Sequence, residues 1–91
     1  MCIRDSEKVG RLGIITGGAG SEVEMVKESG IDTFLTGEGP HWSVPLAQEL
    51  GLSIIYAGHY ATETFGVRKL GQLISSRFGA QEEFIDAPTG L

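Results

Sequence analysis

A chain of 91 residues with 41% hydrophobic and 21% charged side chains and a formal net charge of −5 has the balance of one globular unit, or part of one, with a modest core. Its acidity excludes the basic patch that a nucleic-acid backbone needs, and its apolar runs fall far short of the ~18 residues of a membrane helix. The single cysteine, Cys2, excludes an internal disulfide and any cysteine-rich zinc motif, so a metal here would rest on histidine and carboxylate ligands.

Residues 1–8 carry no apolar period and look like a translated adapter, so they are expected to be a non-native or frayed start to a domain over residues 9–91. The charged opening also lacks the apolar centre of a signal peptide, and the expected setting is cytoplasmic. Glycine is the outlier: 14 residues is about twice the usual ~7%. The glycines stand at the ends of apolar runs, where turns and caps need them.

The first strand is expected over Val9 to Thr16, leading into Gly17-Gly18. Ser21 with Glu24 three residues on reads as a capping box, ahead of a helix from about Glu22 to Ser29 with Val23 and Val26 facing inward and Gly30 as its stop. Asp32 to Thr36 is the second strand, closed by Gly37. Pro40 and Pro45 delay the next helix, expected from about Ser43 to Gly51 with a buried stripe of Leu46, Ala47 and Leu50. Leu52 to Ala57 is the most apolar strand and suits a central place in a sheet covered on both faces. The longest helix follows over about Ala61 to Phe78, with Val67, Leu70, Leu73, Ile74 and Phe78 at helical spacing and Gly79 as its cap. A short last strand is expected at Glu83 to Asp86, ended by Pro88. This alternation predicts an α/β fold, a mainly parallel sheet of about four strands alternating with three helices, joined by right-handed crossovers.

Three stretches carry chemistry. Gly17-Gly18-Ala19-Gly20-Ser21 joins a strand to a helix amino terminus without the lysine of a P-loop, and reads either as a tight turn or as a loop lining a ligand cleft. Glu38 and His41 follow the second strand, either as exposed loop residues or as proton-transfer groups and outer-shell partners of a metal. His59 and Glu63 follow the third strand, His59 expected at its carboxyl end and Glu63 in the first turn of the next helix. Ligands of parallel sheets gather at that edge. A histidine and a carboxylate are common ligands of divalent metals, although the same spacing also fits an ordinary surface or core histidine.

In order, the runs Ile15 to Ser21, Asp32 to His41, Tyr56 to Glu63 and Phe84 to Leu91 resemble the carboxyl-terminal part of the Nif-three-like family. Its members are also known as dinuclear-metal-centre hexameric proteins or GTP cyclohydrolase I type 2-like proteins. The resemblance spans residues 9–91 and implies part of a larger Nif-three-like α/β fold. It further implies two divalent ions (zinc, manganese, iron or nickel) held by two adjacent histidines and an aspartate from the amino-terminal half, and by a histidine and a glutamate that match His59 and Glu63, with Thr62 beside them. Glu38 becomes a cleft residue and the candidate catalytic group, His41 falls where the family varies, and Gly17, Gly18 and Gly20 line the cleft. No His-His pair occurs here, and Asp5, Asp32 and Asp86 stand in no motif for the missing ligand. The expectation is therefore the carboxyl-terminal fragment of a cytoplasmic homohexamer with no nucleic-acid or membrane partner. It would act as a metal-dependent hydrolase of a nucleotide-like or phosphorylated small molecule when whole; the alternative is a non-catalytic metal-binding, metal-delivery or regulatory protein. The fragment alone is expected to be inactive.

Overall fold

Three apolar runs, each closed within two residues by a glycine, set the architecture of the computed structural model, which describes residues 9–90. They form β1 (Leu12–Ile15), β2 (Thr33–Thr36) and β3 (Ser53–Tyr56), a parallel sheet in the order β1-β2-β3. Helices α1 (Val23–Glu28) and α2 (Ser43–Leu50) connect them, and α3 (His59–Phe78) follows β3. The register runs from Leu12 beside Thr33 beside Ser53 to Ile15 beside Thr36 beside Tyr56, so the three carboxyl ends share one rim.

Alternation along a strand sends every second residue to the same face. Phe34 and Ile54 are therefore neighbours on one face, and both are fully buried with Val23, Val26, Ala47 and Leu52 beneath α1 and α2. Leu46 and Leu50 pack against this core half-buried, as the expected stripe of α2 requires. The other face carries the row Ile14, Leu35 and Ile55, and Ile14 is 62% exposed. Among the described strands β2 is central and the apolar β3 lies at an edge, with Ser53 buried and Ile55 half-buried on its second face.

Two other expectations need correction at element ends. Ser21 makes no capping bond; it lies in a 3-10 turn over Gly20–Glu22, and α1 starts only at Val23. The Gly20 N–H is already taken by the Glu38 carbonyl and the Glu22 N–H by the Ala19 carbonyl, which winds the segment too tightly for an α-helical first turn. Helix α3 starts at His59, two residues before the expected Ala61, because Gly58 adopts φ 99° and turns the chain straight from strand into helix. Gly51 and Gly79 end α2 and α3 in the left-handed conformation.

Glu83 to Asp86 is not a strand, and among the described residues the sheet has three strands, not four. This tail is drawn along α3 instead. The Tyr60 hydroxyl donates to Asp86 Oδ1 (2.6 Å) and accepts the Ala87 N–H (2.8 Å), and the Arg68 guanidinium lies 4.9 Å from the centre of the Phe84 ring. The apolar stripe of α3 is likewise uncovered among the described residues: Val67, Leu70, Leu73, Ile74 and Phe78 are all exposed, and only Thr62 of this helix is buried. A 20-residue helix is about 30 Å long, and its projection from the sheet contributes to a longest dimension of 51 Å. No helix among the described residues is long and apolar enough to cross a membrane. The expected non-native start at residues 1–8 lies outside the described residues.

Gly66, inside α3, has open space where a Cβ would stand. Gly66→Ala is expected to stabilise the chain by about 0.5–1 kcal/mol through helix propensity alone, read as a higher urea midpoint at unchanged slope.

Candidate functional site

The shared rim brings three loops together. Thr36 pairs with Tyr56, so Glu38 and His59, two and three residues further on, emerge side by side. His59 is the first residue of α3 and Glu63 lies one turn later on the same helix face.

The imidazole of His59 stands between two carboxylates. Its Nδ1 is 2.5 Å from Glu38 Oε1, and its Nε2 is 3.3 Å from Glu63 Oε2. Backbone bonds hold the loop that carries Glu38: its N–H donates to the Gly17 carbonyl (3.0 Å) and its carbonyl accepts the Gly20 N–H (3.1 Å). The buried Thr62 hydroxyl ties the rim together, accepting the Gly17 N–H at 2.9 Å and donating to the His59 carbonyl at 3.0 Å.

Gly17 and Gly18 form the floor. A Cβ on Gly17, which has φ 78°, would come within 2.6 Å of Glu63 Oε1 and 3.3 Å of His59 Nε2, and one on Gly18 would touch the His59 ring at 3.4 Å. Gly20 is packed below the rim against Gly39 and the Tyr56 hydroxyl. The N–H groups of Gly17, Ala19 and Gly20 are bonded to Thr62, Thr36 and Glu38, so this loop serves as a fitted turn under the site more than as a cradle for anions.

A cavity of about 310 Å³ opens over these groups, lined by Glu38, His59, Tyr60, Glu63 and Thr89. Sequence reasoning did not single out Tyr60 or Thr89. The tail delivers Thr89 through the Tyr60–Asp86 and Tyr60–Ala87 bonds, a contact for which only the Asp-Ala-Pro-Thr-Gly run gave a signal. His41 is exposed at the turn leading into α2 and does not line this cavity.

Among the described residues no three His, Cys, Asp or Glu side chains are grouped to hold an ion. The reason is geometric: Glu38 and Glu63 approach opposite nitrogens of one ring. The pair on the Nε2 side does fit a metal. Two tetrahedral ligands with bonds of about 2.0–2.2 Å hold their donor atoms roughly 3.3–3.6 Å apart, and Nε2 and Oε2 are 3.3 Å apart.

The pKa of His59 is raised above its ordinary 6.5, first by the hydrogen bond to Glu38 and further by the negative charge of Glu63, against some desolvation. A raised folded-state pKa contributes stability that is complete below the unfolded value and is lost as pH rises through the folded one. Asp32 acts in the opposite sense: bonds from the Arg11 N–H, the Thr33 hydroxyl and the Gly10 N–H lower its pKa, so its contribution is lost only in acid. In the absence of metal, the melting temperature is expected to decline as pH rises from 6.5 through the folded pKa of His59, and His59→Gln should flatten that decline.

Residues 1–89 match the sequence model of Duf34/NIF3 (NGG1p interacting factor 3). The chain is 41% identical over 85 residues to the GTP cyclohydrolase 1 type 2 homolog of Pyrococcus abyssi, covering 93% of this chain and 34% of that protein. Among solved structures it is similar to the protein ybgI, of unknown function, with a TM-score of 0.88 and 35% identity over 94% of this chain and 35% of that one. It is also similar to TTHA1606 from Thermus thermophilus, with a TM-score of 0.73 and 42% identity over 86% of this chain and 31% of that one. The chain thus spans about a third of the length of these relatives.

Proposed function

The chain belongs to the Duf34/NIF3 family, and from that premise we propose that His59 and Glu63 are two ligands of a divalent-metal centre completed by residues outside these 91. The whole protein is read as a metal-dependent hydrolase of a nucleotide-like or phosphorylated small molecule. The observation that carries this reading is the 3.3 Å approach of His59 Nε2 to Glu63 Oε2 at the carboxyl rim of the sheet. The names of the relatives, GTP cyclohydrolase 1 type 2 homologs, support the substrate class.

A two-metal centre held by His59, Glu63 and residues outside these 91 would supply an activated water and polarisation of a substrate oxygen. This chain's own part is to orient His59 and Glu63 over the Gly17-Gly18 floor, to wall the cavity with Tyr60 and Thr89, and to keep a carboxylate, Glu38, beside the ring. The same reading makes the whole protein a cytoplasmic homo-oligomer, a hexamer in the resemblance, and the uncovered apolar stripe of α3 supports burial against further protein.

The test is to load the full-length protein with zinc, manganese, iron or nickel and to assay GTP and a panel of phosphoesters. Metal-dependent product formation is expected. Stoichiometric metal with no turnover on any of these compounds would overturn the hydrolase reading in favour of metal binding or delivery.

A further inference from the structure

We propose that Glu38 is a positioning residue that fixes the tautomer of His59, holding its Nδ1–H so that the lone pair of Nε2 faces Glu63 and the metal position. The metal half of this inference rests on the function proposed above; the tautomer half stands without it.

A neutral imidazole carries one N–H, on either nitrogen. A carboxylate oxygen faces each ring nitrogen, at 2.5 Å from Nδ1 and 3.3 Å from Nε2, and a bare lone pair is repelled more strongly at the shorter distance, so the single proton of the neutral ring belongs on Nδ1. The ring lies over Gly17 and Gly18, where an added Cβ would come within 3.3–3.4 Å of it, and Gly37 packs against the main chain of His59. The loop that carries Glu38 is held by the two main-chain bonds that join it to Gly17 and Gly20, and its side chain reaches the ring through the bond to Nδ1. Its place on the ring nitrogen opposite the ligand position is that of the carboxylate partner that orients metal-bound histidines in general, whose loss costs roughly 10–100-fold in metal affinity.

The experiment uses the full 91-residue chain, labelled with nitrogen-15. Long-range proton–nitrogen spectra of the neutral imidazoles are recorded without metal and then during zinc titration. Only two histidines are present, and His41→Gln identifies the signals of His59. The expected spectrum shows His59 protonated on Nδ1, changing toward the Nε2–H form or a mixture in Glu38→Ala. Glu38→Gln keeps an acceptor and both main-chain bonds, so it should retain the tautomer while its zinc affinity falls about tenfold, against 10–100-fold for Glu38→Ala. An Nε2–H ring in the unaltered chain, or an Nδ1–H ring indifferent to Glu38→Ala, would overturn the proposal. So would zinc affinity at His59 that neither substitution changes. If Glu38→Ala does not fold, the zinc affinity of Glu38→Gln decides. If zinc moves no His59 signal in the full-length protein while the tautomer responds to Glu38→Ala as expected, the holding role stands and the metal reading falls.

Discussion

Alanine at position 37 is expected to lower the stability of the chain by about 3 kcal/mol, at the upper end of the usual cost of overpacking, and to abolish metal binding along with it. Gly37 follows the central strand, where three loops meet. A Cβ there would run into the carbonyl oxygen of Gly17, the Cα of His59 at 2.6 Å and the carbonyl oxygen of Gly58 at 2.8 Å. All three are main-chain atoms, so relief requires moving the ends of β1 and β3 and not merely rotating a side chain. The same movement would strain the Gly58 N–H bond to the Gly37 carbonyl (2.9 Å) and the Glu38 N–H bond to the Gly17 carbonyl (3.0 Å), which hold the site together. Urea unfolding gives the stability, and calorimetric zinc titration of the full-length protein carrying the same change gives the binding. A midpoint within error of the original chain would show that the rim is looser than these contacts require.

His59→Ala and Glu63→Gln should separate chemistry from folding. In the full-length protein each is expected to lower metal affinity by more than the roughly hundredfold that marks loss of an outer-shell partner, because His59→Ala removes a donor atom and Glu63→Gln the anionic charge of the other. Neither should unfold the chain, since the side chains are 37% and 54% exposed and sit above the core. Metal content by elemental analysis, with circular dichroism on the same samples, distinguishes the outcomes. The 91-residue chain alone should bind zinc weakly and hydrolyse nothing, because two donors do not enclose an ion that ordinarily takes at least three from protein. Tight stoichiometric binding by this chain would mean that the site is complete within it.

Glycine made most of the fold readable. Gly17, Gly37 and Gly58 each follow a short apolar run, and the parallel register then brings Glu38 and His59 together on one rim. The His59–Glu63 spacing was equally legible, since helical geometry places residues four apart on one face. What the sequence hid depends on partners. Phe84 and Ile85 read as strand by propensity, but the Tyr60 hydroxyl and the Arg68 guanidinium capture the tail beside α3, and Thr89 reaches the cavity for the same reason. The stripe from Val67 to Phe78 has helical period and the helix forms, yet periodicity does not say what covers the stripe. Ser21 has the spacing of a cap but lost it to the main-chain bonds of Gly20 and Glu22, the first of which comes from the distant loop that follows β2.

The most direct test of the metal centre is anomalous diffraction from crystals of the full-length protein loaded with zinc. A peak about 2.0–2.2 Å from both His59 Nε2 and a Glu63 carboxylate oxygen, with Nδ1 still bonded to Glu38, is the predicted result. A peak on the Nδ1 side of the ring, or an ion held elsewhere while His59 stays bridged between its two carboxylates, would contradict the account.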